Sequence, residues 1–584
     1  MFTSFPRYLM TAALAVAVPL FLHAQSAPGP AIDATGGVCG TQLFGVAEAQ
    51  AAMANTARNN PEVYRRIVER AKRGAPEQML SAAGVTTHTF NVLNRVTNQF
   101  DEVVGRLVFT GRRARIWIDE RDTARIKAAT IASLARGVDT ATAATSRNPN
   151  KGLIENDEDV FGLPPVNRFD AATPTMEDFL LTDIQDNLSG GYIAGFFSPM
   201  DQTDYDGSNR MNLLYIDSNQ GLGTQTASTI AGMIGTLAHE YQHLIHYRQN
   251  PNSQIFYNEG CSETASILSG YKYRSSSAYL LSTNVPLFRW SDGTVFNDLE
   301  IDYERAMSFL RYCTEQYGEA FLTKFASSRA TNMNRVTDAL TQSGAAADWK
   351  STLKGYAVAN YVRKNFADNR YIYAVPLSNA VVKPANTYSD SVTPAGQATV
   401  QQYAAVYTVY NFRKPSGLRI RFNATVAQNY AVMALLYQNG QLVEVREMTT
   451  NALNTIDPGY DKMVFAILSL SSNNQSISWS VDAVTSGVES IADAAAVRTA
   501  VSDVSPNPAT GPVHVAYQTA GTDPVTMQLF DMQGRLVRTL IAGTPMESGG
   551  HELTLDPSGL AAGVYLVRLM QGGAASVRAV VIER

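Results

Sequence analysis

Residues 224–250 read TQTASTIAGMIGTLAHEYQHLIHYRQN, and the structure of the surrounding region turns on this stretch. Thr224 or Thr226 can cap the start of a helix. Ile230, Ile234, Leu237, Tyr241, Leu244 and Ile245 then supply most of an apolar stripe at helical spacing. The chain has seven histidines, and three of them fall between positions 239 and 246. His239 and His243 are four apart, so on a helix their rings leave one face a turn apart and both can reach a single metal ion. Glu240 projects beside the pair, where it can accept a proton from water at that ion.

This H-E-x-x-H spacing is the pattern of zinc peptidases. It carries only three fixed letters and recurs by chance, in which case both histidines are ordinary and Glu240 is a solvated charge. The helical context and a nearby acid favour the metal. Catalytic zinc usually takes three protein ligands and a water. The third ligand falls to Glu259, in YNEGCSETASILSGY (257–271), with Glu263 one turn further on as runner-up. Whichever of the two does not bind metal can orient His239 or His243 through its second nitrogen. His246 is not the last histidine of the longer HExxHxxGxxH pattern, because Gln249 stands there, and it reads as a cleft-lining or helix-capping residue. Zinc lowers the pKa of its water towards roughly 7 and polarises a carbonyl, Glu240 carries the proton, and Tyr303 or Tyr257 is a candidate oxyanion donor. Cys261 and Ser262 lack a nucleophile context such as GxSxG.

The 584 residues suit several domains. Low charge (17%) with 41 Gly and 24 Pro fits an exported, loop-rich protein, and a net charge of -5 gives no pull towards nucleic acid. Residues 1–24 read as a signal peptide: Arg7, an apolar run from Leu9 to Leu22, then Ala24 before Gln25. Residues 25–85 are polar and helical, an N-terminal extension or propeptide. Strand-like alternation begins in THTFNVLNR and GRLVFTGRRARIWIDE, followed by a helix in ERDTARIKAATIASLARGVD, so residues 86–370 form an α+β domain. Short strands (RYIYAVP, VQQYAAVYTVYNF, LRIRFNA, AVMALLYQNG, MVFAILSL, QSISWSVDAV) make residues 371–485 a β-sandwich. Residues 486–500 read as a linker and 501–584 as a last small β domain.

Two further readings concern ligands. PMDQTDYDGSNR (199–210) offers Asp201, Asp204, Asp206 and Asn209 to a hard cation such as Ca2+. It lacks the closing glutamate of the standard calcium loop, and a solvated turn is the plainer reading. Of three cysteines, Cys261 and Cys313 could pair. Cys39, in GGVCG, could mask the metal as a thiolate before activation, against the plainer readings of a surface thiol or an intermolecular disulfide.

Two segments resemble known families. Residues 87–365 resemble the hyicolysin-type neutral zinc metallopeptidases, among the zincins with a glutamate third ligand. The resemblance rests on HEYQH, GGYIAGFFSPMDQ, MNLLYIDS, NEG around Glu259, and DYERAMSFLRYCTEQYG. It implies metal ligands at His239, His243 and Glu259 and a catalytic Glu240. YNEGC departs from the commoner WLNEGL, and the short spacing from His243 differs from thermolysin-like peptidases, where a longer gap would favour Glu263. The tail resembles the type A C-terminal sorting domain of the type IX secretion system, through SPNPATGPVHV, MQLFDMQGRLVRTL, SGGHELTLDPSGLAAGVYLVRL and VRAVVIER. That resemblance implies the type IX machinery as a partner and export across the outer membrane, to the surface or medium. The expectation is therefore a secreted zinc endopeptidase acting on protein or peptide: a zincin-like α+β domain followed by β-sandwich domains. The alternative is an inactive zincin-derived surface binding or adhesion protein.

Overall fold

A computed structural model describes residues 37–72, 86–166, 175–186, 192–271, 277–291, 296–363, 366–374, 380–389, 395–484, 499–520, 523–572 and 574–583. The signal segment 1–24 and nearly all of the expected linker lie outside them. The described residues fall into two compact units, one within Met1–Ser486 and one within Gly487–Arg584.

The first unit opens with strand β1 (Gly37–Cys39) and helices α1 (Val46–Asn59) and α2 (Pro61–Lys72). Strands β2 (Thr87–Asn94), β3 (Gln99–Thr110) and β4 (Ala114–Asp119) follow. Sequence alternation suggested two strands and then a helix, but the helix starts later. Asp119 accepts hydrogen bonds from Arg121 and starts a single 3-10 turn, and α3 spans Ala128–Asp139. Next come α4 (Leu153–Phe161), β5 (Glu177–Thr182), β6 (Tyr192–Phe197) and β7 (Leu213–Asp217). The seven strands form one sheet in the order β1-β6-β7-β5-β4-β3-β2, in which β1 joins the edge parallel to β6.

Strands β5, β6 and β7 are buried on both faces, which explains their unbroken apolar runs. On one face Ile116, Phe179, Leu181, Ala194 and Leu214 share a core with Met233, Leu237 and Tyr241 of α5 (Ala227–Gln249). On the other, Trp117, Leu180, Ile193, Phe196 and Tyr215 share a second core with Ala49, Ala52 and Met53 of α1 and Ile67 of α2. Residues 37–72, within the segment read as extension or propeptide, thus supply a strand and a covering layer.

Helices α6 (Ile255–Leu268), α7 (Ser277–Leu281), α8 (Phe296–Tyr317), α9 (Glu319–Ser327), α10 (Asn332–Ser343) and α11 (Trp349–Val362) complete the α+β part. Helices α8 and α9 part at Gly318. Of RYIYAVP, the described residues 370–374 form no strand: Asp368 bonds to Arg370 and closes a 3-10 turn over Asn369–Tyr371, and the Tyr373 hydroxyl donates to Asn360 in the helical core at 2.6 Å. Cys261 and Cys313 do not pair; each is a buried free thiol.

Seven strands follow: β8 (Asn386–Ser389), β9 (Ala395–Val400), β10 (Ala405–Ala424), β11 (Tyr430–Gln438), β12 (Gln441–Met448), β13 (Leu453–Ser469) and β14 (Gln475–Val484). The β10–β13 register breaks between Asn411 and Leu418, so the two halves of β10 meet different neighbours. Tyr410, Phe422, Phe465 and Trp479 close a sandwich-like core between them. The opposite face of β10, β11 and β13 packs on the helices, where the Tyr407 hydroxyl donates to the Ala357 carbonyl at 2.7 Å.

The second unit pairs a three-stranded sheet, β15 (Ala500–Ser505), β16 (Val513–Thr519) and β19 (Gly549–Leu555), with a four-stranded one. The latter is β17 (Val525–Asp531), β18 (Leu536–Thr544), β20 (Gly563–Gln571) and β21 (Ala574–Ile582). Alternating residues such as Val513, Val515, Met527, Leu529, Val567 and Leu569 meet in its core. The molecule is an α+β domain followed by largely antiparallel β domains. Among the described residues no helix is long and apolar enough to cross a membrane.

Candidate metal centre

Helix α5 starts where Thr226 accepts a hydrogen bond from the Thr229 amide at 3.2 Å, one of the two caps the sequence allowed. Its second half is enclosed almost all round, from Met233 to His246, because the sheet covers one side and α3, α4 and α6 cover others. Close approach to the sheet depends on Gly195 in β6: a Cβ there would stand 2.8 Å from Thr236 and 2.9 Å from the Tyr215 carbonyl. That approach brings Glu240 against the sheet edge, where its Oε2 accepts from the Phe197 amide at 3.1 Å.

His239 and His243 leave α5 on one face, with ring centroids 4.8 Å apart. Glu259, on α6, reaches between them: its Oε2 is 3.3 Å from His239 Nε2 and 3.7 Å from His243 Nε2. Glu263 lies on the outer side, 3.8 Å from His239 Nδ1. A fourth side chain enters from the other end of the sequence. Cys39, the last residue of β1, places Sγ 3.5 Å from His243 Nε2 and 3.7 Å from Glu240 Oε2. The ligand atoms of Cys39, His239, His243 and Glu259 all lie within 4.8 Å of one another, and all four residues are buried.

A metal ion fits this set. Around tetrahedral zinc with bonds of about 2.0–2.3 Å, neighbouring ligand atoms stand roughly 3.3–3.6 Å apart. The separations of 3.3, 3.5 and 3.7 Å are close to that spacing. His239 Nε2 and Glu259 Oε2, 3.3 Å apart, are buried and make no well-aligned hydrogen bond, and neither does Glu240 Oε1. The electrostatics agree. Burial opposes ionisation of Glu259, but His243, His239 and Gln42 outweigh it and hold the carboxyl down at about 2. Burial also opposes charge on His239, yet contact with Glu259 and the nearby Glu240 and Glu263 raise its pKa. Burial, then Glu240 and Glu259, push the Cys39 thiol well up. Such a concentration of buried acids wants a cation.

Further residues support the cluster. His243 Nδ1 is 3.0 Å from Asn258 Oδ1 and 3.0 Å from Ser262 Oγ, which itself donates to Gln242 at 2.6 Å. His243 therefore carries its proton on Nδ1, leaving the Nε2 lone pair facing the cluster. The Thr41 hydroxyl donates to Glu240 Oε2 at 2.7 Å, and the Gln42 amide donates to Glu259 Oε1 at 2.9 Å. Asn258 stands inside the NEG motif and could have been noticed there. Thr41, Gln42 and Ser262 carry no sequence signal for these contacts.

The remaining candidates separate. The Tyr303 hydroxyl is 3.4 Å from the Gln42 amide, beside Glu259. Tyr257 is occupied elsewhere: its hydroxyl accepts from the Asn332 amide at 2.6 Å and Arg335 covers its ring. His246 neither lines an open cleft nor caps the helix through its ring. It is buried, and burial, with Arg335 and His243 nearby, lowers its pKa to about 3. Asp201 is not a solvated turn residue. It is buried and accepts from the Asn209 amide at 2.8 Å, the Asn209 side chain at 3.0 Å and the Tyr215 hydroxyl at 2.7 Å.

Comparison with known proteins adds three findings. A segment of the chain is 26% identical over 187 residues to the neutral metalloprotease ShpI of Staphylococcus hyicus, covering 31% of this chain and 38% of that protein. Solved structures give low overall likeness. Beta-glucuronidase of Faecalibacterium prausnitzii has a TM-score of 0.18 at 10% identity, covering 31% of this chain and 37% of that one. The pre-peptidase C-terminal domain of collagenase from Bacillus anthracis has a TM-score of 0.14 at 10% identity, covering 17% and 98%. At those scores neither bears on this chain. Residues 503–583 match the family of secretion system C-terminal sorting domains. The chain thus carries an α+β domain whose buried cluster fits a metal ion and which has a segment similar to a metalloprotease, and its sorting-domain match supports export to the cell surface by the type IX system.

Proposed function

We propose that the protein is a secreted zinc-dependent endopeptidase of the hyicolysin type, with His239, His243 and Glu259 as metal ligands and Glu240 as general base. The observation that carries this reading is the buried cluster in which the ligand atoms of Cys39, His239, His243 and Glu259 all lie within 4.8 Å of one another. A zinc ion bound there supplies a Lewis acid that polarises the scissile carbonyl and acidifies water. Glu240 takes the proton of the attacking water and passes it to the leaving amine. Asn258 and Ser262 hold the His243 ring and its tautomer. Glu263 sits on the far nitrogen of His239 and serves to orient it. The Phe197 amide, at the end of β6 beside Glu240, can pair with an extended substrate once β1 is displaced, and Tyr303 is the donor available to a developing oxyanion. The sorting domain engages the type IX machinery and takes no part in hydrolysis.

The test measures bound zinc and casein hydrolysis, with and without chelator. It uses the natural chain, Cys39→Ser (which removes the sulfur from the cluster), and Glu240→Gln in both. Zinc in all four, with chelator-sensitive cleavage only where Glu240 is intact, is expected. Zinc with no cleavage by any of them would favour a surface binding protein instead.

A further inference from the structure

We propose that Cys39–Gln42 is an inhibitory strap and that Cys39 Sγ is a fourth ligand to the metal, closing the site in the chain as it stands. This rests on the zinc-peptidase reading above and adds its regulation.

Each polar group of the strap occupies something the reaction needs. Cys39 Sγ stands in the ligand cluster, 3.5 Å from His243 Nε2, and accepts from the Thr41 amide at 3.4 Å. The Thr41 hydroxyl holds Glu240 Oε2 at 2.7 Å and also accepts from the Phe197 amide at 2.9 Å. Gln42 takes Glu259 Oε1 at 2.9 Å and stands against Tyr303. The base, a metal ligand, the fourth coordination position and a substrate-pairing amide are therefore engaged by Cys39, Thr41 and Gln42.

The backbone fills the peptide channel as well. β1 pairs along β6, and the Gly40 amide donates to the Gly195 carbonyl at 2.9 Å. Removing β1 would make β6 the sheet edge, the surface on which an extended substrate adds as a strand. Gly40 is needed for so close a passage, since a Cβ there would meet Ile193 at 2.7 Å and the Phe44 ring at 3.1 Å. Phe44 anchors the strap by stacking on Phe196, with centroids 3.6 Å apart. Leu43 and Phe44 share a core with α1 and α2, so the part that must lift to open the site is Cys39–Gln42.

In closing, the water in the fourth position would leave, the Cys39 thiol would lose its proton to solvent, and its sulfur would take that position. In opening, the sulfur–metal bond breaks, the sulfur regains a proton, and water takes the vacated position.

The full-length chain, its Cys39→Ser and Cys39→Ala variants, and Glu240→Gln as inactive control are loaded with Co2+. Their absorption spectra and casein turnover in the zinc form are then compared. The natural chain should show an intense near-ultraviolet thiolate-to-cobalt band that both Cys39 variants lack. Those variants should cleave at least about tenfold faster than the natural chain, roughly the factor of one ligand exchange worth about 1.4 kcal/mol. Stoichiometric cobalt without the band overturns the sulfur ligand. A band with equal turnover in natural and variant chains overturns the restraint. No cobalt in any protein, all of them folded by circular dichroism, is instead the failure of the metal site itself.

Discussion

Two acidic clusters of the first unit offered oxygen ligands to a cation, and the structure makes them opposites. At Asp201 both carboxylate oxygens already have protein donors, from Asn209 and Tyr215. Around His239, His243 and Glu259, buried atoms converge and remain without hydrogen-bond partners. Counting acids cannot separate the two cases. What separates them is whether the desolvated lone pairs have been satisfied by the fold, because an unsatisfied buried polar atom is costly and persists where a ligand compensates it.

Substitutions should divide along the same line. The largest effect is expected from Glu240→Gln in the Cys39→Ser chain, where casein turnover should fall about 10²–10⁴-fold with zinc retained. Equal turnover, measured under matched zinc loading, would remove Glu240 from the chemistry. Next comes Asn258→Ala, which frees the His243 ring and should weaken zinc binding about 10–100-fold in a chelator competition. Unchanged affinity would mean that Ser262 alone holds the ring.

Asp201→Asn should leave zinc content and turnover unchanged, and a loss of either would join the two clusters functionally. Its signature lies in pH. Burial pushes the Asp201 carboxyl up to about 7, against the pull of Tyr215 and Asn209. A carboxyl with a folded pKa above its unfolded value costs stability as pH rises from its unfolded range, about 4, towards 7, because the unfolded chain ionises first. Thermal melting of the natural chain should therefore decline over that window more steeply than that of Asp201→Asn. Parallel slopes would contradict the assignment.

The comparison also shows how far the sequence could be read. The α5 helix, its capping Thr226 and the pairing of His239 with His243 were legible because they are local and follow the 3.6-residue repeat. Glu259 was within reach because NEG lies on the next helix. The long-range half was not. Thr41 meets Glu240 across 199 residues, and β1 is three residues, too short to show any periodicity. Asp201 read as solvated because its loop is rich in turn residues, yet Tyr215 and Asn209 draw it inward. RYIYAVP alternates like a strand, but the Asp368–Arg370 contact and the burial of Tyr373 overrode the pattern.

The most direct test of the metal centre is the zinc content of the folded, full-length chain beside Glu259→Gln and Glu263→Gln. Made in the Cys39→Ser chain, where three protein ligands remain, the parent and Glu263→Gln should each hold about one zinc and Glu259→Gln should lose it. A parent without zinc, or zinc lost from Glu263→Gln and kept by Glu259→Gln, would contradict the centre described here.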